Sequence, residues 1–175
     1  MIAAFDVHYV EDERAFTAAV LFRNYRDAEP ATEFVGLTDV TSDYIPGQFY
    51  RRELPCILAL LEQFGEAPDE MLIDGYVMLG ARPGLGQHLF ESLSGNTPVI
   101  GVAKSKYRNA EPVEVFRGRS TRPLYVTAAG IDPQQAAERI RLMHGAHRLP
   151  TLLKRVDLLA RGKICGTQPV GGAIA

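Results

Sequence analysis

Apolar residues in this chain fall in strand-like runs near its start and at helical spacing further along. Residues 2–10 and 16–24 are apolar and in part β-branched or aromatic. The polar stretch Glu-Asp-Glu-Arg separates them, which predicts a hairpin. Residues 33–41 read as a third strand. From Leu54 the apolar positions are Leu54, Ile57, Leu58, Leu61 and Phe64, a helical pattern in which Pro55 occupies the first turn and Glu53 the helix entrance. Residues 71–77 predict a buried strand. A glycine-rich stretch, Gly80 to Gly86, leads into a short helix over 87–94, and residues 98–104 predict another strand. Further strands are expected at 113–117 and 124–128. Asp132-Pro133 opens a helix, the acid capping and the proline taking the first helical position. Arg148-Leu149-Pro150 precedes a last helix with Leu152, Leu153, Val156 and Leu159 on its apolar face. Asp157, one turn beyond Leu153, lies at the edge of that face.

Three leading antiparallel strands followed by alternating helices and strands indicate an α/β fold, a mixed central sheet with helices on both sides. The order is similar to the ribonuclease-H-like architecture, which gathers carboxylates from the first strand, a middle strand and a late helix at one edge of the sheet. A length of 175 residues fits one domain, expected over 1–165, with 166–175 as a mobile tail. With 46% hydrophobic and 23% charged residues, the composition is that of a globular protein. No apolar run approaches the roughly 20 residues that cross a bilayer, and no signal-peptide pattern is seen, so no membrane partner is expected. Cys56 and Cys165 have no metal-type spacing. A reducing cytoplasm and a monomer are the expectations.

Charge changes the picture through its distribution. The net charge is −2, yet residues 1–103 carry 16 acids and 6 bases, whereas residues 104–155 carry 11 bases and 4 acids. A basic segment facing an acidic pocket would track phosphates, although a solvated basic face is the plainer reading. Asp6 and Asp74 lie inside apolar runs, where a carboxylate is costly to bury unless a partner or a divalent cation compensates it. Asp39 and Asp132 need no such explanation. Taken singly, Asp6 and Asp74 read as structural acids as readily as metal ligands. Glu53 alone reads as a helix N-terminal charge, Asp157 as a surface residue and Lys104 as a solvent-facing lysine. His8 shares the face of Asp6 and reads first as a packing histidine. His144 and His147 read as complements to a helix end or weak phosphate contacts. No second His or Cys pair marks a zinc site.

Five ordered motifs over residues 2–160 resemble the endonuclease V family. They are FDVHY, YIPGQFYRRE, LIDGYVMLGARPGLGQHLF, IGVAKS and HRLPTLLKRVDLLAR. The resemblance implies that Asp6, Glu53, Asp74 and Asp157 hold Mg²⁺, with Mn²⁺ able to substitute, and that Lys104 is the catalytic lysine beside Asp6, Glu53 and Asp74. It implies a strand-separating wedge at Tyr44-Ile45-Pro46, which otherwise reads as a Pro-Gly turn. It implies a lesion pocket around Gly75, Gly84 and Gly86, which otherwise read as loop glycines, with Arg82 and His88 completing the substrate-contacting set. The activity implied is hydrolysis of a phosphodiester, typically the second on the 3′ side of a deaminated purine, leaving 3′-hydroxyl and 5′-phosphate ends. The partner implied is DNA carrying deoxyinosine, or RNA carrying inosine for some members.

The sequence departs from the family in three places. A histidine-proline-arginine segment is replaced by Gly80-Ala81-Arg82, the stretch between Lys104 and Leu124 is short, and a Gly-His or Gly-Asn pair is replaced within Ala128-Ala129-Gly130-Ile131. The acids and lysine are kept while the recognition residues change, which implies hydrolysis with an altered substrate preference. An endoribonuclease directed by inosine or by structure is one alternative. A nucleic-acid-binding protein of this fold without catalysis is another.

Overall fold

The computed structural model describes residues 1–10, 14–40, 45 and 48–165. The expected loop at 11–13, Tyr44, Pro46, Gly47 and the tail from 166 lie outside the described residues. The chain opens with β1 (Ile2–Tyr9), β2 (Arg14–Phe22) and β3 (Thr32–Asp39), followed by α1 (Tyr50–Leu61) and β4 (Glu70–Ile73). A two-stranded ribbon, β5 (Met78–Leu79) and β6 (Arg82–Pro83), precedes α2 (Leu85–Ser92) and β7 (Val99–Ala103). The last elements are β8 (Val113–Val115), β9 (Leu124–Ala129), α3 (Pro133–Leu142) and α4 (Thr151–Ala160).

The seven-stranded sheet has the order β3-β2-β1-β4-β7-β9-β8. β1, β2 and β3 are antiparallel neighbours, β1, β4 and β7 run parallel, and β9 returns antiparallel to β7. This is the expected mixed α/β, ribonuclease-H-like architecture. Alternating side chains feed two cores. Ala4, Val20, Leu72, Ile100 and Val126 meet Ile140 of α3 and Leu152, Val156 and Leu159 of α4. Ala3, Phe5, Leu21, Met71 and Val99 meet Ile57 and Leu60 of α1 and Leu89 of α2 on the other face. Among the described residues no helix is long and apolar enough to cross a membrane.

Several element bounds differ from the sequence expectation. Helix α1 starts at Tyr50, four residues before Leu54, because turns from Arg51 N–H to Gln48 C=O (3.1 Å) and from Arg52 N–H to Phe49 C=O (2.9 Å) wind the chain earlier. Pro55 is therefore inside the helix, and its missing N–H falls opposite Arg51, at the surface. β4 ends at Ile73, not at residue 77, since Gly75 adopts φ +145°, which breaks the strand. Asp132 caps α3 as expected, accepting from Gln134 N–H (2.9 Å) and Gln135 N–H (3.1 Å).

Two buried acids each have an arginine partner from a helix. Glu33, fully buried, accepts from Arg155 Nε, and Glu70 is paired with Arg139. A buried carboxylate without such a partner would be strongly destabilising.

Parallel register places the strand ends. Phe5 pairs with Ile73, and Ile73 with Gly101. Asp6 and Asp74 therefore emerge side by side, and Lys104 leaves the next strand beyond them. Gly101 permits this closeness, because a Cβ there would stand 2.6 Å from Gly75 O, 2.8 Å from Thr127 Oγ1 and 3.0 Å from Val77 N. Gly101→Ala is expected to lower unfolding stability by about 1–3 kcal/mol, the usual cost of overpacking, measured by urea denaturation.

Candidate active site

The carboxyl ends of parallel strands are where open α/β sheets place their ligand sites. Here Asp6 in the middle of β1, just past its parallel pairing with β4, Asp74 after β4 and Asp157 on α4 bring one carboxylate oxygen each to within 4.8 Å of one another. Asp6 shares the face of Ala4, the face that α4 covers, which is why a residue of the last helix reaches a residue of the first strand. Glu53, in the first turn of α1, stands outside that group of three but lines the same cleft of about 170 Å³ with Asp6 and Asp74.

Lys104 Nζ donates to Asp74 Oδ2 at 2.6 Å and approaches Asp157 Oδ1 at 3.5 Å. Burial pulls the Lys104 ammonium down, but the hydrogen bond and charge of Asp74, with the charges of Asp157 and Asp6, lift it above the ordinary lysine range. Arg161 Nε holds the other oxygen of Asp157 at 3.2 Å. Burial raises the Asp157 carboxyl, and its two cationic neighbours bring it below the usual carboxylate range. Asp74 and Asp157 are thus matched by two cations.

Asp6 and Glu53 are not matched. Among the described residues neither is bridged to a cationic side chain; Asp6 accepts only the Val7 N–H, at 2.9 Å. Burial, then repulsion from Asp74, pushes the Asp6 carboxyl to about 7, with Lys104 opposing. Burial, then the charges of Asp6 and Asp74, pushes Glu53 to about 7, with Arg52 opposing. Two half-buried carboxylates that repel each other beside an open cleft, with only hard oxygen donors, fit a Mg²⁺- or Mn²⁺-type cation, which takes a few carboxylates and fills the rest of its coordination with water and substrate oxygens.

Hydrogen bonds that the sequence reading missed hold the loops carrying these groups. Arg148 donates through Nε and Nη2 to Pro123 C=O, at 3.2 and 2.7 Å, and through Nη2 to the carbonyl of Lys104 itself. The buried Tyr76 hydroxyl donates to Ser105 C=O and accepts from Tyr107 N–H, each at 2.9 Å. Thr127 Oγ1 accepts from Val77 N–H at 2.9 Å, fixing the chain just beyond Asp74. Tyr76 stood next to Asp74-Gly75, and Arg148 inside the motif before α4. Neither residue type at such a place signals a clamp on a loop distant in sequence.

The other expected residues are dispersed. Gly75 faces open space next to Asp74. The N–H groups of Gly84 and Gly86 are taken by Val77 C=O (2.8 Å) and Tyr76 C=O (3.2 Å). A Cβ at either position would collide with residues 76–77, so both glycines are required for packing. His88 stacks on Tyr50 with ring centroids 3.8 Å apart, joining α2 to the start of α1. Arg82 and Ile45 are exposed, and so is Phe49, 51% accessible ahead of α1. Tyr44 and Pro46 of the expected wedge lie outside the described residues. Gly80, φ +68°, lines a second hollow of about 410 Å³ with Met78, Ala81, Asn109, Glu111 and Thr127. A Cβ on residue 80 would stand 2.6 Å from Asn109 C=O, so a histidine has no room there.

Much of the basic segment is committed internally. Arg117 is buried and donates to carbonyls of Met143, Gly145, His147 and Arg148, while Arg139 and Arg155 hold Glu70 and Glu33. His144 follows Met143, the C-cap of α3, as expected, and its Nδ1 lies 3.0 Å from the hydroxyl of Thr151, the first residue of α4. Arg108, Arg119, Arg122 and Lys154 remain exposed.

Fold and site together define a mixed α/β protein with a cluster of hard oxygen donors and a lysine at the carboxyl edge of a parallel strand trio. The comparisons with known proteins narrow the class. The endonuclease V family model matches residues 1–125. The endonuclease V of Alkalilimnicola ehrlichii is 30% identical over 93% of this chain and 81% of its own. The crystal structure of endonuclease V from Streptomyces avermitilis matches with a TM-score of 0.74 at 25% identity, covering 93% of this chain and 80% of that one. Endonuclease V of Ciona intestinalis, crystallised with a 24mer DNA containing an inosine followed by a ribo-adenosine, shares the fold with a TM-score of 0.77 at 18% identity, over 93% and 84% of the two chains. This chain belongs to the endonuclease V family.

The raised carboxyls have a consequence for stability. For Asp6 and Glu53 the folded state binds protons that the unfolded state has already released, so between about pH 4 and 7 they lower stability as pH rises. Thermal melts of metal-free protein are expected to fall across that window. Added Mg²⁺ is expected to raise the melting temperature more at pH 8 than at pH 5, and an equal rise at both would contradict the assignment.

Proposed function

We propose that this protein is a Mg²⁺-dependent endonuclease, active also with Mn²⁺, that hydrolyses a phosphodiester on the 3′ side of deoxyinosine in DNA, leaving 3′-hydroxyl and 5′-phosphate ends, as a repair activity. The observation that carries this is the convergence of Asp6, Asp74 and Asp157 within 4.8 Å, with Lys104 between the last two. Membership of the endonuclease V family and the inosine-containing DNA bound by the Ciona relative support the reaction class and substrate.

Asp6, Glu53, Asp74 and Asp157 would hold the cation, which when bound activates water and offsets charge on the scissile phosphate. Lys104 stays protonated between Asp74 and Asp157, as a point charge able to fix a phosphate oxygen or the attacking water. Exposed apolar side chains ahead of α1, the helix that carries Glu53, fit base handling. Ile45 and Phe49 precede α1, and with Tyr44 and Pro46 we assign them to strand separation at the lesion. Gly75 gives a base close access to main chain beside Asp74, and Arg82 lies exposed on the ribbon that follows. Gly84, Gly86 and His88 would act on the substrate indirectly, by seating α2 against that chain. Cys56 and Cys165 are free thiols, which fits a cytoplasmic setting.

The test is cleavage of single- and double-stranded DNA and RNA, each with and without one inosine, in Mg²⁺ or Mn²⁺ with the product ends mapped. A nick one nucleotide past deoxyinosine is expected, and cleavage confined to RNA would instead make the protein an endoribonuclease. Asp74→Asn is expected to abolish cleavage while strand binding persists; wild-type rates in that variant would remove the metal-site assignment. Lys104→Ala is expected to lower kcat by about 10²–10³-fold, the loss typical of removing one preorganised charge stabiliser.

A further inference from the structure

We infer that Arg161 contacts the nucleic-acid backbone at the acid cluster, its guanidinium receiving a non-bridging phosphate oxygen while Asp157 holds it in place. The assignment rests on the nuclease reading above. Arg161 caps the C-terminal end of α4 and lines the cleft of about 170 Å³ formed by Asp6, Glu53 and Asp74. It is tied at two points: its N–H donates to Asp157 C=O at 3.1 Å, and its Nε reaches Asp157 Oδ2 at 3.2 Å. Both Nη groups lack a protein partner among the described residues, and the side chain is 42% accessible. A guanidinium fixed through Nε still presents four N–H donors in one plane, a geometry suited to phosphate.

The charge pattern of the cleft favours such a group. A phosphodiester approaching Asp6, Glu53 and Asp74 meets negative charge, and Lys104 is already engaged with Asp74 and Asp157. Of the residues lining the 170 Å³ cleft, Arg161 alone is cationic. Asp157 then has two tasks, offering one oxygen toward Lys104 and the cluster and orienting Arg161 with the other. An ion pair four residues apart at a helix end also has a purely structural reading, in which the arginine complements the helix terminus. The two readings differ in what a substitution does to nucleic-acid binding.

Full-length wild type, Arg161→Gln and Arg161→Lys would be compared on a fluorescently labelled, inosine-containing DNA strand. Affinity would be measured in EDTA over a range of salt, and kcat and KM in Mg²⁺. Loss of one phosphate contact is expected to reduce the slope of log affinity against log salt by about 0.7–0.9 in Arg161→Gln, with kcat/KM lowered about tenfold or more. Arg161→Lys, which keeps the charge, is expected to recover most of the slope and part of the rate. An unchanged slope with unchanged kcat/KM, while wild type cleaves, overturns the assignment and leaves the nuclease reading intact. An unchanged slope with a lowered melting temperature likewise overturns it, and gives Arg161 a helix-end role. If wild type binds but cleaves nothing, a slope reduced in Arg161→Gln upholds the contact while the catalytic reading falls. If wild type neither cleaves nor binds, both fall.

Discussion

Carboxylates held next to each other at a sheet edge set the terms for the rest of this structure. Each negative charge withdrawn from water must be neutralised by a partner or a proton, and the molecule uses different answers in different places. Glu33 and Glu70, under the helices, are answered by Arg155 and Arg139. Asp74 and Asp157 are answered by Lys104 and Arg161. Asp6 and Glu53 are left with carboxyls raised to about 7, so the cluster has capacity for further positive charge on the side facing the open cleft. That asymmetry separates a site from a structural salt-bridge network.

Holding such a cluster together takes rigidity behind it. The parallel trio β1, β4 and β7 sets the spacing by main-chain hydrogen bonding, and side-chain clamps fix the loops that leave it. Arg148 grips the carbonyl of Lys104, Tyr76 ties together residues 105 and 107, and Thr127 secures Val77. Gly101 brings these strands' neighbours close enough for the clamps to reach. Small displacements of a charged group weaken electrostatic stabilisation steeply, so these uncharged contacts bear on chemistry they do not touch.

The basic segment, residues 104–155, shows how charge counts mislead. Its excess in the sequence looks like a phosphate-tracking face, yet Arg117, Arg139, Arg148 and Arg155 are turned inward to carbonyls or buried acids. A guanidinium is weakly hydrated and offers five donors, so it serves readily as an internal brace. The charge left for a polyanion is on dispersed exposed residues such as Arg108, Arg119 and Arg122, and at the cleft itself.

By itself the sequence determined the fold class, the order of the main elements and the two-sided helical cover, and it singled out Asp6, Glu53, Asp74, Lys104 and Asp157 as candidates. These follow from local periodicity, capping and motif order, each of which needs only neighbouring residues. Asp6 and Asp74 were legible because a carboxylate inside an apolar run conflicts with its surroundings. Element ends were less legible: α1 began before its apolar pattern did, and Gly75 cut short a strand that hydrophobicity alone would have continued. Only the tertiary structure decided which acids are matched by cations, that Gly84 and Gly86 spend their N–H groups internally, that residue 80 has no room for a side chain, and that Arg161 enters the cleft. Those outcomes depend on distances between groups brought together by parallel strand register and by a last helix laid across the first strand, and no local pattern encodes such distances.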